Sequence, residues 1–519
     1  MAAQAFNTIN RYNVETALGV IQLASDETFV SIRESRLVPP ARKLRPMDVL
    51  LQMSGVAAPS QLGEQGAPVA SIANPENLGN DDVRRYEARF GRDALYAAEF
   101  LSDKWPQLEL GIVRYFAAYQ AMDFDERKQS APGKIPNHVR KPDDIIARQL
   151  TAETGRRWPW FGGTDTTVQF LLAASRVLRA NPEVGHEYLR YPSDHENAGK
   201  YVTWSTSPRT LRDAVIAAAG WLIRELGSRP GPPLLWVPMN RKDSFTVWTD
   251  SPNSFHWRKG QLAPPPVAPV QLQAQAYDAL IAVAELPLNR SDAIETPNDL
   301  LDLAAQLRRS ILHLFLVNDD RGEFFANGVA LDSKGRLSPL DVRTVNMGFL
   351  LDSTVLDGNE YLPHRLAVVE QILSPSMISA FGIVGRARDE VRFEKFDYHS
   401  QIYAFAAHKV ANGLRKEGHA RLADVIDRRI LAQTRDGFYP ENVGADDGSR
   451  LEYCPHILTV SRIAADGRHT VSVKERTPAP YALWTVAAIL DIESRSTDRD
   501  LDSSDAPSAM EQRLLSRLV

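Results

Sequence analysis

The clearest indication of the fold lies in residues 93–122, which read DALYAAEFLSDKWPQLELGIVRYFAAYQAM. Apolar residues recur three and four positions apart in both halves of this stretch, which is the spacing of an amphipathic helix. The halves, Asp93–Trp105 and Leu108–Met122, are separated by only two residues. The sequence therefore predicts two helices that fold back on each other as a hairpin.

The same helical spacing of apolar residues continues almost to the end of the chain. Strand signals are few and short, with Thr470–Val473 as an example. No repeat of fixed period is present, so an irregular all-α domain, a helical repeat array and a closed toroid of dissimilar helical hairpins all remain open. The further predicted helices are Thr166–Ala180, Leu211–Leu226, Val270–Leu286, Asp299–Leu316, Leu362–Leu373, Ser400–Lys416, Ala420–Thr434 and Tyr481–Ile492.

The two ends of the chain differ from this helical part. Residues 1–85 are the least regular, with a predicted strand at Thr28–Ile32 followed by prolines that interrupt any helical pattern. After residue 493 the chain becomes polar, and a short helix is predicted near Met510. We therefore predict a lead-in segment over 1–85, a helical domain over 86–493 and a polar tail over 494–519. The interrupting prolines are Pro39, Pro40, Pro46 and Pro59.

Composition and charge narrow the range of functions. The 519 residues include 60 Lys and Arg and 65 Asp and Glu, a formal net charge of -5 without long blocks of one sign, so no nucleic-acid partner is expected. The single cysteine, Cys454, has no partner for a disulfide or a thiolate zinc site. Neither a secretory leader nor a run of eighteen apolar residues occurs in the sequence. We expect a cytoplasmic chain with no membrane partner.

The unusual residues fall in the loops between the predicted helices. Residues 158–165, WPWFGGTD, combine three aromatic side chains and two glycines with the carboxylate of Asp165, just before a helix. Flat aromatic faces beside carboxylates suit sugar rings. Alternatively, Asp165 only caps the helix that follows. The stretch Phe90–Asp93 has the same two interpretations, because Asp93 either caps the next helix or holds a polar ligand together with Arg92.

A second loop, Trp248–Ser254 (WTDSPNS), places Asp250 among aromatic residues and is followed by His256 and Trp257. An apolar wall disfavours the ionised form of a carboxyl group and raises its pKa, which makes Asp250 a candidate general acid. The alternative is an Asp-Ser-Pro turn in which the carboxylate bonds to its own backbone.

A third loop, residues 437–442 (GFYPEN), places Glu441 among aromatic residues. Glu441 is either a second functional carboxylate or a solvated loop residue. One protonated and one ionised carboxyl group on separate loops of a single cup are what hydrolysis of a glycosidic bond requires.

Other chemistries have weaker support. The sequence contains no Gly-rich phosphate loop followed by Lys and Ser or Thr, no Gly-x-Ser-x-Gly elbow and no His-Glu-x-x-His pair. A sugar epimerase or isomerase, a phosphorylase, a carbohydrate-binding protein without catalysis and a helical scaffold for protein partners remain as alternatives. An epimerase or isomerase would depend on paired histidines, for which the candidates are His138, His256, His399 and His408.

Four motifs in order give the chain a family resemblance that extends from about Phe90 to Ile492. The sequence resembles the bacterial amylo-α-1,6-glucosidase or glycogen-debranching type of glycoside hydrolase, which is related to the processing α-glucosidase I, trehalase and glucoamylase families. The four motifs are Phe90–Tyr96 (FGRDALY), Gly133–Arg140 (GKIPNHVR), Trp160–Leu171 (WFGGTDTTVQFL) and Trp248–Ser254 (WTDSPNS).

This resemblance implies an all-α fold, an (α/α) barrel of six helical hairpins, and inverting, exo-acting hydrolysis of α-glucosidic bonds. It assigns Asp250 as the general acid and Glu441 as the general base, with no cofactor and no metal. The short lead-in favours a glucoside or short oligosaccharide as the carbohydrate partner, because it cannot supply a separate sugar-binding domain. The residues expected to bind substrate are Arg92, Asp93, His138, Trp160, Phe161, Asp165, Trp248, Trp257, Tyr398 and His399.

Overall fold

The computed structural model describes residues 29–32, 43–72, 86–141, 143–204, 207–239, 245–251, 253–288, 296–393, 398–434, 437–445, 454–463, 469–476, 479, 481–497 and 507–518. Helices are the main element of these ranges, and none of them is long and apolar enough to cross a membrane. They are α1 Pro46–Ser54, α2 Gly91–Leu101, α3 Pro106–Ala118, α4 Ile145–Thr154, α5 Asp165–Ala180, α6 Leu211–Leu226, α7 Val270–Ala284, α8 Pro297–Leu314, α9 Phe349–Asp352, α10 Leu362–Ile372, α11 Ala404–Lys416, α12 Ala420–Gln433, α13 Leu483–Thr497 and α14 Ala509–Leu518.

The helices predicted from apolar spacing are confirmed, with ends that differ by a few residues. Three further helices were not predicted: α1, α4 and the four-residue α9. Helix α1 begins at Pro46, so the interpretation of that proline as a helix breaker is wrong; a proline fits the first helical position, where its missing N–H has no partner to lose. Helix α4 is capped by Asp144, whose carboxylate accepts a hydrogen bond from the Ala147 N–H at 2.9 Å.

The strands are more extensive than predicted. The antiparallel pair β13–β14 forms a long hairpin, and β1 runs parallel to β14 with Val30 opposite Val471. The expectation of only short strands is therefore wrong at this hairpin. The strands are β1 Phe29–Ile32, β2 Arg89–Phe90, β3 His138–Val139, β4 Thr203–Trp204, β5 Ser207–Pro208, β6 Ala268–Pro269, β7 Leu316–Asp319, β8 Gly322–Phe325, β9 Gly328–Leu331, β10 Leu337–Leu340, β11 Ile378–Ser379, β12 Gly382–Ile383, β13 Cys454–Ile463 and β14 His469–Arg476.

Six helices contact one another in a closed circuit. The order of contacts is α2, α5, α7, α9, α11, α13 and back to α2. We call these six the ring helices. Each also packs against a helix outside the circuit: α3, α6, α8, α10 and α12 follow their ring helices in the chain, whereas α13 packs against α1 from the lead-in segment. The circuit surrounds buried apolar side chains that include Tyr96, Phe170 and Phe405.

A buried ion-pair cluster crosses the inside of the circuit. The ammonium group of Lys409 on α11 contacts the carboxylates of Glu99 on α2 and Asp352 on α9. These two attractions raise the pKa of Lys409 against the opposing effect of burial, so the ammonium stays charged. The cluster therefore links three ring helices through one cation.

Replacing Lys409 with Met should lower the free energy of unfolding by about 3 kcal/mol or more, because two partly buried carboxylates would lose their counter-charge. Equilibrium urea denaturation measures this change. The matched control is Lys416→Met on the same helix, whose pair with Asp357 is more exposed and which should cost under about 1 kcal/mol. Equal losses in the two variants would contradict a structural role for the buried cluster.

Candidate active site

Two of the predicted carboxylates lie in the first turns of ring helices. Helix α2 begins at Gly91 with Phe90 in the cap position, so Asp93 is its third residue and is not the cap. Helix α5 begins at Asp165, and Thr164 occupies the cap position. Both carboxyl groups are thus near the helix end where backbone N–H groups carry partial positive charge.

Arg92 connects these two helices. Its guanidinium Nε lies 3.3 Å from Oδ2 of Asp165, and the arginine is only 8% exposed. The close approach requires glycine at position 91, because a Cβ there would stand 2.5 Å from the carbonyl oxygen of Pro136 and from a methyl carbon of Thr166. The glycine before Arg92 and Asp93 is therefore required for a steric reason.

Asp165 is the first residue of α5, so the alternative that it caps this helix is wrong. Its carboxylate accepts backbone hydrogen bonds from Trp248 and Thr166 as well as pairing with Arg92. Burial raises the pKa of Asp165, and these partners oppose that rise. The carboxylate therefore joins the start of α5 to the loop that contains Asp250.

Asp93 has a more strongly perturbed carboxyl group. Burial raises its pKa to about 7, Arg92 opposes the rise, and repulsion from Glu441 and Asp165 adds to it. Because carboxylates perturb one another only at short range, Asp93 and Glu441 face the same region. Asp93 also keeps part of its surface exposed, so this region is open to solvent.

Asp250 lies in a tight loop and is partly exposed. The Phe245 N–H donates to the Asp250 carbonyl oxygen at 2.9 Å, which closes the loop. Burial raises the pKa of the Asp250 carboxyl group to about 6, with opposing attraction from Arg92 and, more weakly, Arg156, and with repulsion from Asp165. Asp250 therefore belongs to the same electrostatic cluster as Arg92 and Asp165.

Trp248 anchors this loop in the hydrophobic core. It is 2% exposed, and its ring makes edge contacts with Tyr403 at 5.4 Å and Phe405 at 5.2 Å between centroids. The Trp248 indole is thus part of the core, two residues before Asp250 in the sequence. Its bulk contributes to the apolar surroundings that the sequence predicted for this carboxyl group.

Glu441 lies in the loop after α12 and is 9% exposed. Its backbone N–H donates to the Ala479 carbonyl oxygen at 2.9 Å, which fixes the loop next to the segment that leads into α13. The alternative of a solvated glutamate does not fit this burial. Repulsion between the Glu441 and Asp93 carboxyl groups is one cause of the raised pKa of Asp93.

A short segment before α11 anchors the loops of both Asp250 and Glu441. The Ser251 N–H donates to Nε2 of His399 at 3.1 Å. Three residues further on, Ile402 and Val443 exchange two backbone hydrogen bonds of 2.9 Å. The two candidate catalytic loops are therefore tied to one piece of backbone, although they are far apart in sequence.

His138, Trp160 and Phe161 are buried near one another. His138 and Trp160 exchange backbone hydrogen bonds, and the His138 ring stacks on Phe90 at 3.9 Å. Burial lowers the pKa of His138 well below its usual value, and Nε2 accepts a hydrogen bond from Arg140 at 2.9 Å, so the imidazole is neutral. Phe161 is buried beside Trp160.

The remaining two predicted residues are less directly connected to the carboxylates. Trp257 lies in a tight turn, where its N–H donates to the Gln261 carbonyl oxygen at 3.0 Å, and its ring packs against the core. Tyr398 begins a single 3₁₀ turn that ends at Ser400, and its side chain lies outside the described residues.

Arg156 lies between α4 and Trp160 and was not predicted from the sequence. Its guanidinium carbon stands 3.8 Å from the centroid of the Trp160 ring, and its pKa is lowered to about 10 by burial while Asp250 opposes the change. The only sequence signal was an arginine four residues before a tryptophan. Within the described ranges, no group of three or more His, Cys, Asp or Glu side chains is arranged to hold a metal ion.

No protein family model and no curated protein sequence matches this chain. Among solved structures, a glycosidase is 15% identical and aligns over 86% of this chain and 94% of its own, with a TM-score of 0.49. A bacterial glucoamylase complexed with acarbose is 12% identical over 87% of this chain and 55% of its own, with a TM-score of 0.48. The GH63 mannosylglycerate hydrolase from Thermus thermophilus is 14% identical over 87% of this chain and 99% of its own, with a TM-score of 0.45. These similarities concern the backbone, whereas the chemistry of the site depends on the side chains described above.

Proposed function

We propose that this protein is an inverting, exo-acting glycoside hydrolase that cleaves the α-glucosidic bond of a glucoside or short oligosaccharide. The observation that carries the proposal is the cluster of Asp93, Asp165 and Asp250 around Arg92, in which burial raises the pKa of Asp250 to about 6 and Glu441 repels Asp93. A carboxyl group with such a pKa holds a proton in mildly acidic solution and releases it near neutrality, as a general acid must.

Asp250 and Glu441 have complementary roles in this mechanism. Asp250 donates its proton to the glycosidic oxygen as the bond to the anomeric carbon breaks. Glu441, ionised, takes a proton from the water that attacks the opposite face of that carbon. Inversion requires the two carboxyl groups to stand about 6.5–9.5 Å apart, so that the water fits between Glu441 and the sugar.

Arg92, Asp93 and Asp165 would hold the sugar ring in this mechanism. Polar groups at the starts of α2 and α5 can exchange hydrogen bonds with several hydroxyl groups, and charged partners make those bonds stronger. His138, Trp160 and Phe161 would supply the aromatic wall, and His399 the support for the Asp250 loop. These assignments follow the family resemblance of the sequence and are supported by the shared location of the carboxylates.

The six ring helices and their outer partners fit an (α/α) barrel of six hairpins. In this arrangement the starts of the ring helices would share one end, which is where Asp93 and Asp165 lie. The predicted domain over 86–493 would then contain five complete hairpins. Helix α1 would complete the sixth, because it packs against α13 from within the lead-in segment.

A paired-histidine epimerase or isomerase has less support. His138 accepts a hydrogen bond from Arg140, and burial lowers the pKa of His256 to about 3, so both imidazoles are neutral. His408 is fully buried between Asp427 and Asp491 on outer and inner helices. Each of these histidines therefore has a structural partner that accounts for its burial.

Asp250→Asn and Glu441→Gln should each lower turnover by about 10²- to 10⁴-fold, because each removes one proton-transfer group. Release of glucose from α-glucosides measures the loss, and circular dichroism checks that the variants stay folded. The control is Asp320→Asn, an exposed carboxylate paired with Arg258 on the surface. Near-normal activity in either site variant would refute the role assigned to that residue.

The activity should decline as pH rises through about 6, because Asp250 must be protonated to donate and its pKa is raised to about 6. The profile of kcat/KM against pH measures this alkaline limb. With α-glucosyl fluoride, whose leaving group needs no proton, the limb should be much weaker. The same limb for both substrates would show that another group controls it.

The first sugar released from an α-glucoside should be β-glucose, because water attacks the face opposite to the leaving group. Proton NMR of the anomeric signals in the first minutes of reaction distinguishes β- from α-glucose. Initial release of α-glucose would point to a covalent intermediate and would contradict the role of Glu441 as a base. The sum of both anomers provides the rate in the same experiment.

A further inference from the structure

Arg156 interacts electrostatically with the proposed acid, Asp250, but has no part in the mechanism above. The residue follows α4, which ends at Gly155 in the left-handed conformation with φ of 70°. This turn brings the Arg156 guanidinium over the face of Trp160, at 3.8 Å from the ring centroid. Arg156 is partly buried and interacts electrostatically with Asp250.

The charge of Arg156 is not balanced by an ion pair in the described part of the chain. No carboxylate oxygen of the described residues lies within 4.0 Å of its guanidinium nitrogens. Its neighbour Arg157 reaches Asp125 at 4.0 Å, and Arg92 reaches Asp165 at 3.3 Å. Burial lowers the pKa of Arg156 to about 10, which still leaves it a cation at neutral pH. A partly desolvated cation without an ion pair gains from an anion supplied by a ligand.

The position of Arg156 indicates which part of a substrate it would meet. A general acid must contact the glycosidic oxygen, so the groups around Asp250 flank the leaving group as well as the sugar. We infer that Arg156, held against Trp160, forms a leaving-group subsite that selects an aglycone bearing a carboxylate or phosphate group. The planar guanidinium can give two parallel hydrogen bonds to either anion. This inference rests on the proposed function and narrows its substrate class.

A purely structural role for Arg156 makes a different prediction. If the arginine only covers Trp160 through a cation–π contact, its loss should affect charged and neutral substrates equally. If it binds an anion, the effect should depend on the charge of the leaving group and weaken with added salt. Selectivity between matched substrates therefore separates the two roles.

The test compares 4-carboxyphenyl α-glucoside with its methyl ester, and 4-(phosphonomethyl)phenyl α-glucoside with its dimethyl ester. The wild-type protein should favour the acids over the esters by about tenfold or more in kcat/KM, mainly through KM. Arg156→Met keeps an apolar side chain over Trp160 and should abolish the preference, and Arg156→Lys should retain part of it. Arg157→Met is the matched control and should leave the preference unchanged. Whichever acid is preferred identifies the anion.

Equilibrium binding separates this inference from the proposed hydrolysis. Calorimetric titration of Glu441→Gln protein with the same compounds should show the acid preference without turnover, and the double variant with Arg156→Met should lose it. Equal affinity for acid and ester, or an equal loss for both in Arg156→Met, would overturn the inference. If the wild-type protein cleaves neither compound but still prefers the acid in binding, the hydrolysis proposal is wrong and the anion subsite stands.

Discussion

The buried charge of Arg92 is the constraint on which the rest of the site depends. One guanidinium group, 8% exposed, faces the carboxyl groups of Asp93, Asp165 and Asp250, and Asp93 in turn faces Glu441. Burial raises the pKa of Asp93, Asp165 and Asp250, and the attraction of Arg92 opposes this rise in each of them. Asp165 takes the ion pair and the backbone hydrogen bonds, while the pKa values of Asp93 and Asp250 rise to about 7 and 6. Burial that the charge of Arg92 only partly offsets thus creates groups that can hold protons near neutrality.

The helical part of the fold could be predicted because its signal is local. The spacing of apolar residues along Asp93–Trp105 or Val270–Leu286 depends only on which face of the helix is buried. Helix α4 gave little signal because it buries only a few apolar side chains, among them Ile146 and Leu150. The pairing of β1 with β14 could not be predicted, because it joins segments more than 400 residues apart and its register depends on the tertiary fold.

The sequence indicated which residues are candidates for the site, but it did not indicate the long-range contacts that connect them. Asp250 and Glu441 stood out because acidic residues among aromatics in loops are unusual, and the structure places their loops against one segment before α11. The hydrogen bond from Ser251 to His399 joins residues 148 positions apart, and no local sequence pattern predicts it. Arg156 was missed for the same reason, since its proximity to Asp250 exists only in three dimensions.

The contact between α2 and α13 has a consequence for biosynthesis. The first ring helix to leave the ribosome lies beside the last, so the circuit stays open until α13 has been translated. During that interval the apolar flank of α2 and the charge of Arg92 lack part of their final surroundings, which exposes the nascent chain to aggregation. Closure of the ring is therefore a late event, and chains that terminate before residue 483 cannot complete it.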